Sequence, residues 1–193
     1  MNPFAHGWNA PGSSGNTVPQ PSIFGALPYP TRSTSAMFMS FVFTSFAPTI
    51  LDSTVVGPKS KIYFRVRTDV PTVGFTIIHN SANQPMIIIE WLQHPVIEIR
   101  DILSKRETAS WLPLSADKSY RTMNALGKTF VWAPDGRYIC LYSAGLGRPQ
   151  IYARVIREEG QVTLELTAEA IQLGLLEICI AAALLLQCER RID

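Results

Sequence analysis

The side chains that could take part in covalent catalysis are few and widely separated in the chain. The histidines and cysteines are His6, His79, His94, Cys140, Cys179 and Cys188. A cysteine nucleophile needs a base within hydrogen-bonding distance, which His79 or His94 could provide for Cys140. The apolar residues on both sides of Cys140 favour the alternative, a buried thiol on a strand. We therefore predict a protein without a catalytic residue. An enzyme with an unrecognised site is the alternative.

Metal and phosphate sites also lack a sequence pattern. Glu90, Glu98 and Asp101 are close together, but their spacing matches no cation-binding loop. Residues 145–149 contain two glycines without a helix pattern after them, so they predict a turn rather than a phosphate-binding loop. We expect neither a metal ion nor a cofactor.

A basic strand is the one positive indication of a binding surface. Residues 61–67 alternate between two faces, which predicts a β-strand. Ile62, Phe64 and Val66 would face a core. The candidate binding residues on the other face and beside it are Lys59, Lys61, Tyr63, Arg65 and Arg67. Such a cluster attracts anionic lipid head groups by about 1 kcal/mol per basic residue. The alternative is an ordinary solvated face whose charges maintain solubility and oppose edge pairing.

Composition limits the class of partner and the compartment. Hydrophobic residues make up 47% of the 193 residues and the formal net charge is only +2. A nucleic-acid-binding protein usually carries a dense Lys/Arg stripe, so we expect no nucleic-acid partner. The odd number of cysteines without zinc-like spacing, together with an N-terminus that lacks a basic and apolar leader, predicts a reducing, cytoplasmic location.

Two regions of different composition divide the chain. Residues 1–36 hold six of the 14 prolines and four of the 12 glycines. Proline removes a backbone donor and glycine is costly to order, so this Pro/Gly/Ser-rich segment predicts a flexible tail. Its Pro-X-Pro segments could also form a polyproline II ligand for another protein. Residues 37–193 are predicted to form one domain.

Short β-type segments separated by turns begin at Met37. The predicted strands are Met37–Phe46, Lys61–Arg67, Val73–His79, Met86–Leu92, Val96–Arg100, Thr129–Trp132, Tyr138–Ser143, Ile151–Arg157 and Val162–Leu166. Residues 133–136 and 158–161 have the Pro, Gly and acidic residues typical of hairpin turns. Frequent strands without helical periods between them predict a mainly β fold, an antiparallel closed barrel or a sandwich.

The C-terminal segment predicts a hydrophobic helix over about residues 168–189. Thr167 is a candidate N-cap, and the following residues are rich in Ala and Leu. Apolar side chains surround the whole helix, which is typical of a helix buried in protein or in a membrane. Burying its nine largest apolar side chains in a core would contribute roughly 15–25 kcal/mol. Glu177 makes membrane insertion marginal. We favour a core helix inside the sheet; the alternative is a tail anchor formed by residues 170–186.

Several short motifs carry a resemblance to a known family. They are Ile88–Trp91, Phe130–Tyr138, Ile151–Arg154 and the closing apolar helix over 175–186. Over about residues 38–190 the chain resembles a family of uncharacterised fungal proteins. That family is similar to the tubby-like and LURP-one-like barrels, which are related to phospholipid scramblases. The resemblance implies a β-barrel with a hydrophobic C-terminal helix threaded through it.

The expected function follows from the fold and the basic strand together. Tubby-like domains bind phosphoinositides through basic residues, but none of their individual residues can be matched to this sequence. A shared fold does not by itself imply a shared function. We predict a non-catalytic barrel module that binds an anionic phospholipid head group or a protein partner, with peripheral membrane association at most.

Overall fold

The computed structural model describes residues 38–69, 74–145 and 149–193. The predicted tail, residues 1–36, lies outside these ranges. The strands of the described ranges are β1 (Phe38–Thr44), β2 (Ser53–Val56), β3 (Ile62–Thr68), β4 (Phe75–Asn80), β5 (Pro85–Glu90), β6 (Val96–Ile99), β7 (Leu103–Glu107), β8 (Arg121–Ala125), β9 (Lys128–Asp135), β10 (Tyr138–Ser143), β11 (Ile151–Glu158) and β12 (Gln161–Thr167). The α-helices of the same ranges are α1 (Thr108–Trp111), α2 (Ala168–Gln172) and α3 (Leu176–Gln187).

All of these strands belong to one antiparallel sheet. The order is β7-β6-β5-β4-β3-β2-β1-β12-β11-β10-β9-β8, so β1 pairs with β12 and joins the two halves of the chain. The two edges of the sheet are β7 and β8. The sheet curves into a nearly closed barrel, which confirms the predicted mainly β, antiparallel class. Of the two predicted architectures, the barrel is the one that forms.

Both predicted hairpins form, with two-residue turns. Asp135 pairs with Tyr138 and Glu158 pairs with Gln161. Gly136 has φ +58° and Gly160 has φ +73°, a conformation that glycine adopts without the steric cost of a side chain. The turns therefore occupy the positions where the sequence supplies glycine.

Helix α3 lies against the inner side of the sheet. Its residues from Ile178 to Leu185 are all buried, although they cover every side of the helix. The helix approaches β11 and β12 and also β5, which is far from both in the sheet order. A sheet can contact a helix from such distant strands only by curving around it. The core therefore forms between α3 and the inward side chains of the barrel.

The predicted helix over 168–189 is divided into α2 and α3. The Thr167 hydroxyl accepts a hydrogen bond from the backbone N–H of Ala170 (3.2 Å), so the predicted N-cap is confirmed. The first helix ends because Gly174 adopts φ +77°, and the Leu175 N–H then bonds back to the Ala170 carbonyl (3.0 Å). This is the usual glycine termination of a helix. No helix in the described part of the chain has both the length and the apolar character needed to cross a membrane.

The Ala181–Ala183 segment lies in the buried middle of α3. All three alanines are fully buried. We expect Ala182→Leu to lower the free energy of unfolding by roughly 1–3 kcal/mol, because added methylene groups in a packed core displace their neighbours. Ala168→Leu, on the exposed start of α2, is the matched control and should change it by less than about 0.5 kcal/mol. Urea denaturation measures both. Equal stability of the two variants would contradict close packing at Ala182.

Candidate functional site

Strand β3 positions the two arginines of the predicted basic surface. Phe64 and Val66 are buried in the core. Arg65 and Arg67, which alternate with them along the strand, project from the outer face of the sheet. Arg65 is half-buried between Thr54 of β2 and His79 of β4, which are its partners in register. Arg67 is exposed. The alternation of the sequence thus places both guanidinium groups on one face.

Tyr63 does not follow the predicted alternation. Val55 pairs with Phe64 but Val56 pairs with Ile62, so Tyr63 is the extra residue of a β-bulge. Its ring packs edge-on against the buried Phe41, with 5.2 Å between the ring centroids. Ile62 consequently lies opposite the half-buried Val56 rather than in the core. Tyr63 therefore packs against the core instead of lying between the cations on the outer face.

The same tyrosine ring explains a glycine beside the strand. A Cβ atom at Gly57 would lie 2.6 Å from the Tyr63 ring, closer than real contacts allow. Gly57 also donates its N–H to the Lys61 carbonyl (2.9 Å), which closes the turn before β3. The bulge and the glycine are therefore parts of one local arrangement.

The two lysines lie apart from the arginine pair. Lys59 is in a 3-10 turn, Pro58–Ser60, with φ +60°. It lines a shallow groove together with outward side chains of β1 such as Ser40. Lys61 is exposed at the start of β3, and its ammonium lies 5.8 Å from the Tyr63 ring centroid. The structure thus brings together Arg65 and Arg67, with Lys61 at the strand end and Lys59 on the β1 side of the turn.

The charges of these four cations are not neutralised by described carboxylates. The ion pairs between residues in the described ranges are Lys105–Glu90, Arg121–Asp193, Arg154–Glu165 and Arg157–Glu189. None of them involves a cation of β3 or its preceding turn. Within the described ranges, the Arg67 side chain has one hydrogen-bond partner, the backbone carbonyl of Val66 (3.2 Å). Within the described ranges, Arg65 and Arg67 therefore have no carboxylate partner at ion-pair distance.

The candidate nucleophile is in an unfavourable environment for catalysis. Cys140 is buried on β10, and burial raises the pKa of its thiol. Burial also raises the pKa of Cys179 and of Cys188. A nucleophilic cysteine needs the opposite shift, since the thiolate is the reactive form. Within the described ranges, no group of three or more His, Cys, Asp or Glu side chains could hold a metal ion.

A cavity lies where the barrel fails to close. It has a volume of about 410 Å³ and is lined from both edges of the sheet, by β7 on one side and by β8 and the β8–β9 turn on the other. We call it the seam cavity. Its lining residues are Ile99, Ile102, Leu103, Arg106, Trp111, Asn124, Ala125, Leu126, Gly127, Lys128, Thr129 and Ile178. The volume is within the range of about 300–1,000 Å³ typical of small-molecule pockets.

Comparison with known proteins gives a distant similarity of fold. The chain matches no protein-family model and no curated protein sequence. It is similar to an Arabidopsis thaliana protein of known crystal structure, with 9% sequence identity and a TM-score of 0.38. The alignment covers 76% of this chain and 92% of the plant protein. Similarity at this level assigns neither a family nor a function.

The sequence did not predict the seam cavity because both of its walls are edge strands. Neither β7 nor β8 is among the predicted strands. The one usable signal was the Leu126-Gly127 pair between two short segments. Both residues have positive φ, +53° and +71°, as in a two-residue hairpin turn. Recognising this hairpin would have placed Ala125 and Lys128 side by side.

Proposed function

We propose that this protein is a non-catalytic β-barrel module whose basic face on β3 binds the anionic head group of a phospholipid. The observation that carries the proposal is the pair Arg65 and Arg67 on the outer face of one strand. No carboxylate in the described part of the chain pairs with either. The buried thiol of Cys140 supports the non-catalytic part of the proposal.

The geometry suits a multiply charged anion. Side chains two residues apart on a strand are about 7 Å apart at their bases, so two guanidinium groups can approach one phosphorylated head group. His79 lies beside Arg65 in register and places no acidic group next to it. Lys61 at the strand end and Lys59 in the turn extend the positive region.

The strength of binding follows from the number of cations. About 1 kcal/mol for each basic residue gives about 2 kcal/mol for Arg65 and Arg67 alone. If Lys59 and Lys61 contact the same lipid surface, the sum is about 4 kcal/mol, which corresponds to a dissociation constant near 1 mM. Binding of this strength is reversible and sensitive to salt. The proposal is therefore a peripheral, electrostatic association that needs a surface rich in anionic lipid.

Charge reversal tests this surface. We expect Arg65→Glu/Arg67→Glu to abolish co-sedimentation with vesicles that contain phosphatidylinositol phosphates at low salt, with an unchanged melting temperature. The control is Lys118→Glu/Arg137→Glu, which alters the net charge equally at exposed positions away from β3. It should retain binding.

Four outcomes would contradict the proposal. The β3 variant could bind these vesicles as well as the wild type does, or the wild type could fail to bind them at low salt. Equal losses in the β3 variant and the control would indicate a response to net charge rather than to this face. Binding of the wild type to neutral phosphatidylcholine vesicles would likewise exclude an electrostatic head-group site.

A further inference from the structure

Two cations line the seam cavity, and both are at strand positions whose side chains point toward the inside of the barrel. Arg106 of β7 pairs in register with Ile97, whose side chain is fully buried. Lys128 of β9 pairs with Ala125, which is also buried. Residues directly opposite each other in a sheet share a face, so both charged side chains leave the sheet on its inner side. They reach solvent because the barrel is open here, and both are exposed.

The deepest part of the cavity is apolar, whereas Asn124 and Thr129 join the two cations on its polar side. Its most buried lining residues are Ile99 of β6, Trp111 of α1 and Ile178 of α3, each at most 2% exposed. The rim carries Ile102 and Leu126, which are 36% and 50% exposed. A cavity with this lining favours the transfer of a hydrocarbon chain from water.

The electrostatics of the mouth favour an anion. Among the described residues that line the cavity, none is acidic. None of the ion pairs between described residues involves Arg106 or Lys128. Within the described ranges, the side chain of Arg106 donates to Ser104, two residues earlier, through the carbonyl (3.4 Å) and the hydroxyl (3.3 Å), and to no other residue. Two cations at the mouth of an apolar cavity match a ligand with a hydrocarbon chain and one charged end.

We propose that the seam cavity binds a single-chain anionic amphiphile, a molecule with one alkyl chain and a terminal carboxylate or phosphate. The chain would enter between β7 and β8 and lie against Trp111 and Ile178. The anionic end would stay at the mouth between Arg106 and Lys128. A volume of about 410 Å³ is near the lower end for ligand pockets, so one medium-length chain fits and a two-chain lipid does not. This site is separate from the basic face of β3.

A purely structural role for the two cations has a different consequence. Inward-pointing charges on edge strands also prevent two sheets from pairing edge to edge. In that case neutral variants would aggregate, and no amphiphile would bind to the wild type. Ligand binding by a monomeric protein distinguishes the two roles.

Calorimetric titration of the full chain provides the test, with dodecanoate, dodecyl phosphate and dodecanol below their aggregation limits. We expect both anions to bind and the alcohol to bind at least about tenfold more weakly, because it lacks the charge. Arg106→Gln/Lys128→Gln should lower the affinity for both anions by about tenfold or more. Binding of only one anion would assign the site to the carboxylate or to the phosphate.

A second variant tests the cavity without altering its charge. Ala125→Leu places a larger side chain in the cavity wall and should reduce the affinity for both anions about tenfold or more, with a melting temperature equal to or above that of the wild type. Arg65→Glu/Arg67→Glu is the control that separates this site from the proposed head-group face. It should bind dodecanoate as the wild type does.

The proposal is overturned if the wild type binds neither anion, or if dodecanol binds as tightly as dodecanoate. If either cavity variant bound the two anions as tightly as the wild type does, the seam cavity would be excluded as their binding site. If Arg65→Glu/Arg67→Glu lost as much affinity for dodecanoate as the cavity variants, the amphiphile would bind at the β3 face instead. Failure of the vesicle experiment alone leaves these titrations unaffected, because they concern different residues.

Discussion

A chain that ends at Thr167 is expected to show no cooperative thermal unfolding. This truncation removes α2 and α3 and leaves the barrel without its central helix. Among the large side chains that it removes from the core are Leu175, Ile178, Ile180, Leu184 and Leu185. Their burial contributes roughly 8–15 kcal/mol, which is comparable with the whole net stability of about 5–15 kcal/mol of a typical domain. The inward side chains of the strands would also lose their partners.

Circular dichroism during a thermal melt measures this effect. The matched control is a chain that lacks residues 1–36, the predicted tail, and should melt cooperatively. A tail anchor formed by residues 170–186 leads to the opposite expectation, because its removal would release a folded β domain. A cooperative transition in the chain that ends at Thr167 would therefore contradict the role of α3 as the core of the barrel.

The sequence predicted those strands that have one face toward the core and the other toward solvent. Strand β3 alternates because Phe64 and Val66 face the core while Arg65 and Arg67 face outward. Strand β8 was not predicted because it has only two buried side chains, Met123 and Ala125, in five residues. Strand β7 was not predicted, because at the edge of an incomplete barrel an inward position can be solvated. Arg106 shows this directly, since it occupies an inward position and is exposed. A pattern search for apolar alternation cannot detect such strands.

Local irregularities account for the remaining differences. The bulge at Tyr63 shifts the alternation by one residue, and its cause is the pairing with β2, a four-residue strand that was also not predicted. Gly174 divides the predicted helix, and here the sequence did contain the signal, a glycine in an otherwise Ala- and Leu-rich segment. The placement of Arg65 and Arg67 was thus predictable from alternation, whereas the seam cavity required the three-dimensional pairing.

Ile180→Lys is expected to prevent folding at ordinary temperature. Ile180 is fully buried in the middle of α3. The substitution removes roughly 1.5–3 kcal/mol of apolar burial and adds an unpaired charge that costs about 3–5 kcal/mol inside a protein. The sum is comparable with the whole stability of a small domain. Unlike Ile178, which lines the seam cavity, Ile180 is not among the cavity-lining residues that could offer a lysine a path to water.

Gln187→Lys is the matched control on the same helix. Gln187 is half-buried at the C-terminal end of α3, where a positive charge interacts favourably with the helix dipole. We expect this variant to fold, with a free energy of unfolding within about 0.5 kcal/mol of the wild type. Amide hydrogen exchange and thermal melts report on both proteins. If Ile180→Lys and Gln187→Lys melted at the same temperature, the middle of α3 would have access to solvent, and the barrel could not enclose it.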